Sequence, residues 1–193
     1  MDCSEYMMSD TVLRFESVSL HRDGQALVNS IDLNMSAGKM LAVLGPNGAG
    51  KTSLLNCVNS VSDFSGTILL KDRSVADYSP QQRAKILAML PQQSALSFPF
   101  SVKEVIMLGR YPHNTGSKVD TAITDELLAM MQLSALADRC YTSLSGGEQQ
   151  RTQIARVLSQ LILDADMSIR SGSVLLLDEP VSSLDLSHQS SLM

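Results

Sequence analysis

Gly45-Pro46-Asn47-Gly48-Ala49-Gly50-Lys51-Thr52 follows the pattern Gly-x-x-x-x-Gly-Lys-Ser/Thr at every fixed position. A loop of this kind, set between a buried strand and a helix, turns successive backbone N–H groups inward and makes a nest for an anion. The glycines let the backbone reach positive φ and approach the anion closely. Lys51 has the reach to meet the outer phosphates of a nucleotide, and the Thr52 hydroxyl can face a divalent cation. Ser53 belongs to the first turn of the helix that follows.

The flanks agree with that reading. Met40-Leu41-Ala42-Val43-Leu44 is short and apolar, as a buried parallel strand should be. Ser53 to Val58 reads as the helix whose N-terminus faces the phosphates. Further upstream, Val12–Leu20 and Leu27–Met35 partly alternate around Asp23-Gly24, a hairpin signal, so the opening is expected to be antiparallel. Downstream, Gly66–Leu70 and Leu87–Leu90 read as strands. Ser79-Pro80 starts a helix expected to run through Ile86. Ser101-Val102-Lys103-Glu104 and Ser145-Gly146-Gly147-Glu148 are capping boxes. The first opens a helix toward Leu108, the second a helix to about Leu163. Val119–Met131 has helical spacing, and Val174–Leu177 is a final apolar strand. The expected organisation is one α/β domain. Residues 11–91 and 164–193 form a mixed-sheet core with an antiparallel N-terminal part, interrupted by a helical insertion over 92–163.

Composition narrows the classes. The hydrophobic fraction of 44% and charged fraction of 18% are globular values. A formal charge of −5 without a basic run disfavours nucleic acid as a partner. No apolar stretch reaches the roughly 18–20 residues needed to span a bilayer, so no direct membrane insertion is expected. Residues 1–10 lack the basic and apolar regions of a signal peptide. Cys3, Cys57 and Cys140 have no metal-ligand spacing.

Two further elements add chemistry. Asp178 ends an apolar strand, where a carboxylate can hold Mg²⁺ through its water shell. Glu179, next to it, can orient and polarise an attacking water. The turn at Ser145, Gly146, Gly147 and Glu148 is a second helix N-terminus suited to an anion. One molecule does not need two such sites for one phosphate. Two copies packed head-to-tail across a two-fold axis would use both, each phosphate loop facing the other copy's turn.

With these elements in place the chain resembles the ATP-binding subunits of ABC transporters, from about Val12 to Leu192. Gly45–Thr52 matches the Walker A loop, Leu144–Gln149 the signature motif, Val174–Glu179 the Walker B strand, Gln92 the Q-loop glutamine and Ser183-Leu184-Asp185 the D-loop. The resemblance implies a P-loop NTPase of ABC type that binds ATP and Mg²⁺ as a homodimer and hydrolyses ATP. Glu179, Lys51 and Gln92 would be catalytic, and Thr52, Gln92 and Asp178 would surround the metal. The loop residues 45–53 and the Ser145–Glu148 turn would hold the nucleotide. Partners implied are two copies of a transmembrane permease on the cytoplasmic face of the inner membrane and, indirectly, a periplasmic substrate-binding protein. Ser101–Val105 with Leu108-Gly109-Arg110-Tyr111-Pro112-His113 is similar to importers of iron chelates, heme and vitamin B12. There His113 is expected at a helix end or the surface. The spacer Leu161–Ser173 and the run Leu184–Gln189 resemble the hemin-import branch, with siderophore and B12 import as rivals.

Two positions depart from the family pattern. Where the family stacks an aromatic ring on adenine, this chain has Arg22, whose guanidinium plane can stack instead. The sequence ends at Met193, before the family's switch histidine; His188 lies too close to the D-loop to be that residue. The final strands and that histidine are therefore expected to be absent, which admits a nucleotide-binding module with little hydrolysis. A soluble ABC-type protein acting on ribosomes or DNA is a further rival, against which the acidic balance weighs.

Overall fold

Strand β1 (Thr11–Arg22) buries Leu13 and Phe15 in alternation, then Val18 and Leu20, so the inward set slips by one residue in mid-strand. A bulge between Phe15 and Val18 absorbs the slip: Ser17 adopts φ 49° and its N–H turns to the Asp32 carboxylate at 2.7 Å. That is why the sequence alternates only in part. β1 pairs antiparallel with β2 (Gln25–Ser36) on one side and β3 (Ser65–Leu70) on the other, and β3 with the short β4 (Arg73–Ser74). The computed structural model describes residues 10–22, 25–59, 63–92, 96 and 98–178, so the expected Asp23-Gly24 turn lies outside the described residues.

This sheet belongs to a unit that runs to Ile86 and includes Ser171–Val174. It also carries α1 (Lys51–Val58) and α2 (Pro80–Ala84). Ser79 caps α2 in a full capping box with Gln82. The helix stops short of the expected Ile86: the Lys85 and Ile86 N–H groups close tighter turns onto the Gln82 and Arg83 carbonyls at 3.3 and 3.0 Å, and the Ile86 carbonyl accepts from Val174 N–H at 2.8 Å.

One expectation fails here. Met40–Leu44 forms no strand in this structure, and Met40 and Leu44 are 83% and 89% exposed. An apolar run sets a preference for burial, but a parallel strand exists only where a neighbour takes its backbone hydrogen bonds. Among the described residues none pairs with this run.

The second unit holds, among the described residues, Leu87–Arg170 and Leu175 to Asp178. Its helices are α3 (Val102–Met107), α4 (Ser117–Met130) and α5 (Gly146–Leu161). They meet over Val105, Ile106, Ile123, Leu127 and Leu133, all fully buried. An adjoining face of α5 sets Ile154, Val157 and Leu161 against Ala88 and Leu90 of β5 (Leu87–Leu90). β5 pairs with β6 (Val174–Leu177). Ile86 O accepts from Val174 N, and four residues further along each chain Leu90 O accepts from Asp178 N at 3.0 Å. Equal steps in the same direction make the pair parallel. Among the described residues no helix is long and apolar enough to cross a membrane.

Candidate functional site

The phosphate loop enters α1 through Gly50, which has φ 88° as N-cap residue, with Leu54 N–H bonded back to its carbonyl at 2.8 Å. A Cβ at Gly50 would lie 3.0 Å from Val28 Cγ2 and 3.3 Å from the Leu27 carbonyl oxygen, so both backbone conformation and space require glycine there. Residues 45–49 are exposed. Lys51 folds over the loop: its Nζ donates to the Gly45 and Pro46 carbonyls at 2.9 and 3.1 Å. α1 has no side-chain cap and no acidic residue in its first turn, whereas α3 and α5 have both. Its first turn thus carries no carboxylate of its own, as suits an anion. Thr52 and Ser53 sit in that first turn, Thr52 exposed. A Cβ at Gly48 would meet nothing within 4 Å, leaving space above the loop backbone. These residues fit a polyphosphate with its cation.

In the other unit, the carboxyl ends of β5 and β6 lie side by side because the pair is parallel. Asp178 leaves β6 there and is only 3% exposed. Gln92, exposed, follows β5 by two residues at the same edge. Gln92 and Asp178, two of the three residues expected around a metal, thus follow the carboxyl ends of two paired strands although they are far apart in sequence. The edge beyond the carboxyl ends of parallel strands is where α/β folds bind ligands.

The Ser145 turn forms as its sequence predicts. Ser145 Oγ accepts from Glu148 N–H at 3.4 Å, while Ser145 N–H and Oγ–H both donate to Glu148 Oε2 at 2.8 Å. The Ser145 backbone N–H and then its hydroxyl hold the Glu148 carboxyl below its usual value. Nothing lies within 4 Å of a Cβ at Gly146, and Gly147 meets only the tip of Arg151 at 3.9 Å, so the backbone of the turn is open to approach. α5 ends at Leu161 rather than Leu163, where Leu163 N–H bonds to the Ser168 carbonyl instead.

Glu179, Ser183, Asp185 and His188 lie outside the described residues, as does the side chain of Arg22. His113 stands at a helix end as expected, its Nε2 2.8 Å from the Gln160 carbonyl oxygen near the end of α5. The surrounding run has a packing role that the sequence did not reveal. Arg110, 3% exposed, donates to the Ser159 and Ile162 carbonyls at 2.6 and 2.5 Å, to Thr115 Oγ1, and to Asp120 at 2.8 Å. It satisfies the negative end of α5 and ties it to α4. Tyr141 and Gln153, which with Gln149 of the signature motif hold the segment before Ser145, were also not legible as functional. Their one signal was the helical spacing of Gln149 and Gln153 behind the turn.

A glycine-rich loop over an uncapped helix, a carboxylate at a parallel strand edge and a Ser-Gly-Gly helix start define a P-loop nucleotide-binding protein of ABC type. The ABC transporter family matches residues 28–182, and the chain belongs to it. It is 45% identical over 179 residues to the hemin import ATP-binding protein HmuV of Pseudomonas aeruginosa, covering 92% of this chain and 68% of that protein. It is 40% identical to the HmuV of Gloeobacter violaceus, covering 94% and 66%. Among solved structures it resembles a metal-chelate type ABC transporter in an inward-facing conformation, with TM-score 0.73 and 29% identity over 95% of this chain and 65% of that one. A bacterial Atm1-family ABC exporter with ATP bound shares the fold, with TM-score 0.76 and 23% identity over 93% of this chain and 31% of that one. The chain spans about two thirds of the length of its curated relatives.

Proposed function

We propose that this chain is the ATP-hydrolysing subunit of a hemin importer, working as a homodimer beneath two permease subunits at the cytoplasmic face of the inner membrane. The observation that carries this reading is the phosphate loop on an uncapped α1, in a chain 45% identical to a hemin import ATP-binding protein. Lys51 leaves the Gly45 and Pro46 carbonyls to neutralise the outer phosphates. Thr52, Asp178 and Gln92 would surround Mg²⁺, which neutralises developing charge on the phosphates when bound. Glu179 orients the attacking water and accepts its proton. Arg22 would lie against the base. Ser145 and Gly147 act on the partner copy's nucleotide, so binding closes the dimer and hydrolysis releases it.

Replacing Glu179 with glutamine tests the chemistry. Turnover should cease while ATP binding persists and the dimer lives longer; full turnover in that variant removes Glu179 from the mechanism. Cargo is tested separately, by restoring hemin-dependent growth to a strain lacking its own ATP-binding subunit, with Lys51→Ala as the inactive control. The likeness to a metal-chelate type transporter favours a second reading, import of another iron chelate. Growth on a ferric siderophore but not on hemin would select it.

A further inference from the structure

The segment leading into the Ser145 turn is held by one buried residue. Tyr141 is 3% exposed and begins a 3-10 turn, Tyr141–Ser143, that delivers Leu144 and Ser145. Three of its groups are engaged. Its backbone N–H donates to the Phe100 carbonyl at 2.8 Å. Its carbonyl accepts from Gln149 Nε2 at 3.3 Å, and the same amide reaches the Leu144 carbonyl at 3.3 Å. Its hydroxyl accepts from Gln153 Nε2 at 3.0 Å in the interior. Gln149 and Gln153 are four residues apart on α5 and so share one face. Arg156 fixes which way the Gln153 amide points, because its Nε donates to Gln153 Oε1 at 2.6 Å and leaves the NH₂ for the tyrosine.

The residues just before that segment are sewn to the start of α3. Val102 N–H donates to the Arg139 carbonyl, Lys103 N–H to the Ala137 carbonyl, and Ser101 bridges Cys140. Phe100 and Ser145 are therefore joined through Tyr141 by a short chain of hydrogen bonds within one unit.

We propose that Tyr141, gripped by Gln149 and Gln153, is the positioning residue for the Ser145 turn and ties that turn to Phe100 at the approach to α3. It touches no nucleotide; it fixes where Ser145 and Gly147 stand relative to α5. Tyr141→Phe keeps the ring in the core and removes only the hydroxyl, leaving the Gln153 amide without that acceptor. The inference rests on the proposed role of the turn in the partner's site, and the test separates the two claims.

Amide hydrogen exchange on the whole chain reads the positioning directly. In Tyr141→Phe and in Gln153→Leu, exchange at residues 144–149 should rise about tenfold, with α4 at 118–130 unchanged. The double variant should exchange no faster than either single one. Unchanged exchange at 144–149, or a uniform rise that includes α4, overturns the proposal. Steady-state ATPase adds the functional arm: kcat should fall several-fold while the affinity of the single chain for ATP stays at the wild-type value. An inactive wild-type chain would overturn the proposed function, yet the exchange result would still decide the role of Tyr141.

Discussion

Lys51 Nζ lies 2.9 Å from the carbonyl oxygen of Gly45, the residue that opens its own loop. The lysine is thereby stored over the loop by neutral acceptors that a phosphate outcompetes. Lys51→Ala should lower ATP affinity by about 10- to 100-fold, consistent with losing one to two charge-assisted hydrogen bonds, with little change in melting temperature. Calorimetric titration checks the affinity, and an affinity equal to wild type contradicts the assigned role.

Gly50→Ala should fail for a different reason. The added methyl meets Val28 and Leu27 with φ held at 88°, and a strained left-handed residue costs about 1–3 kcal/mol. Both stability and nucleotide binding should fall, as seen by urea denaturation beside the same titration. A fully stable variant that binds normally would show that the loop tolerates a side chain there.

The buried Arg110–Asp120 pair predicts a second loss of stability. Desolvation raises the Asp120 carboxyl, but hydrogen bonds from Thr115 and Arg110, with the charge of Arg110, more than reverse this and leave it below its usual value. Arg110→Met strands that carboxylate and two helix-end carbonyls, a loss of about 3–5 kcal/mol. Arg110→Lys should recover only part of it, because a single ammonium cannot reproduce the fork. Chemical denaturation of both variants measures this. Equal stability of all three proteins would refute the clamp.

Acid should loosen the helix starts. Glu104 and Glu148 are both held below their ordinary 4.5 by N–H and hydroxyl donors of Ser101 and Ser145. A carboxyl depressed in the folded state contributes stability above its unfolded value and loses it as pH falls through the folded one. The melting temperature should therefore drop as pH falls below about 4.5, and less steeply in Glu148→Gln. Identical slopes in the two proteins would argue against the contribution of the capping box.

The thiols should separate cleanly. Burial, and then the charge of Asp63, push Cys57 up to about 11, while hydrogen bonds from Thr142 hold the partly exposed Cys140 below its usual value. In a Cys3→Ser background at pH 8, a thiol-specific disulfide reagent should label Cys140 on mixing and Cys57 only on unfolding. Prompt labelling of both would mean that α1 opens readily.

The local signals in this sequence were the reliable ones. Ser79 announced a helix start just before Pro80, and Ser101 and Ser145 did so three residues ahead of a Glu, because a cap is made by residues a few positions apart. The strand at Leu87–Leu90 and the strand at Val174–Leu177 were legible from length and apolarity alone. What failed depended on distant partners. Met40–Leu44 looked like a strand, but a strand is a property of two segments. The bulge at Ser17 and the burial of Arg110 likewise follow from Asp32, Asp120 and the end of α5, which no short window contains. Within the site, residue types and order were readable, whereas the shared strand edge of Gln92 and Asp178 emerged only from the register of β5 and β6.

That register gives the chain between β5 and β6 a common root. The chain departs at Leu90 and rejoins the strand pair over Val174–Asp178, so Leu90 and Asp178 are the two thresholds of one doorway to the excursion between them. Lengthening or trimming the excursion far from that doorway leaves the two thresholds where they are. Shifting either threshold by a single residue would turn Gln92 or Asp178 away from the edge they share.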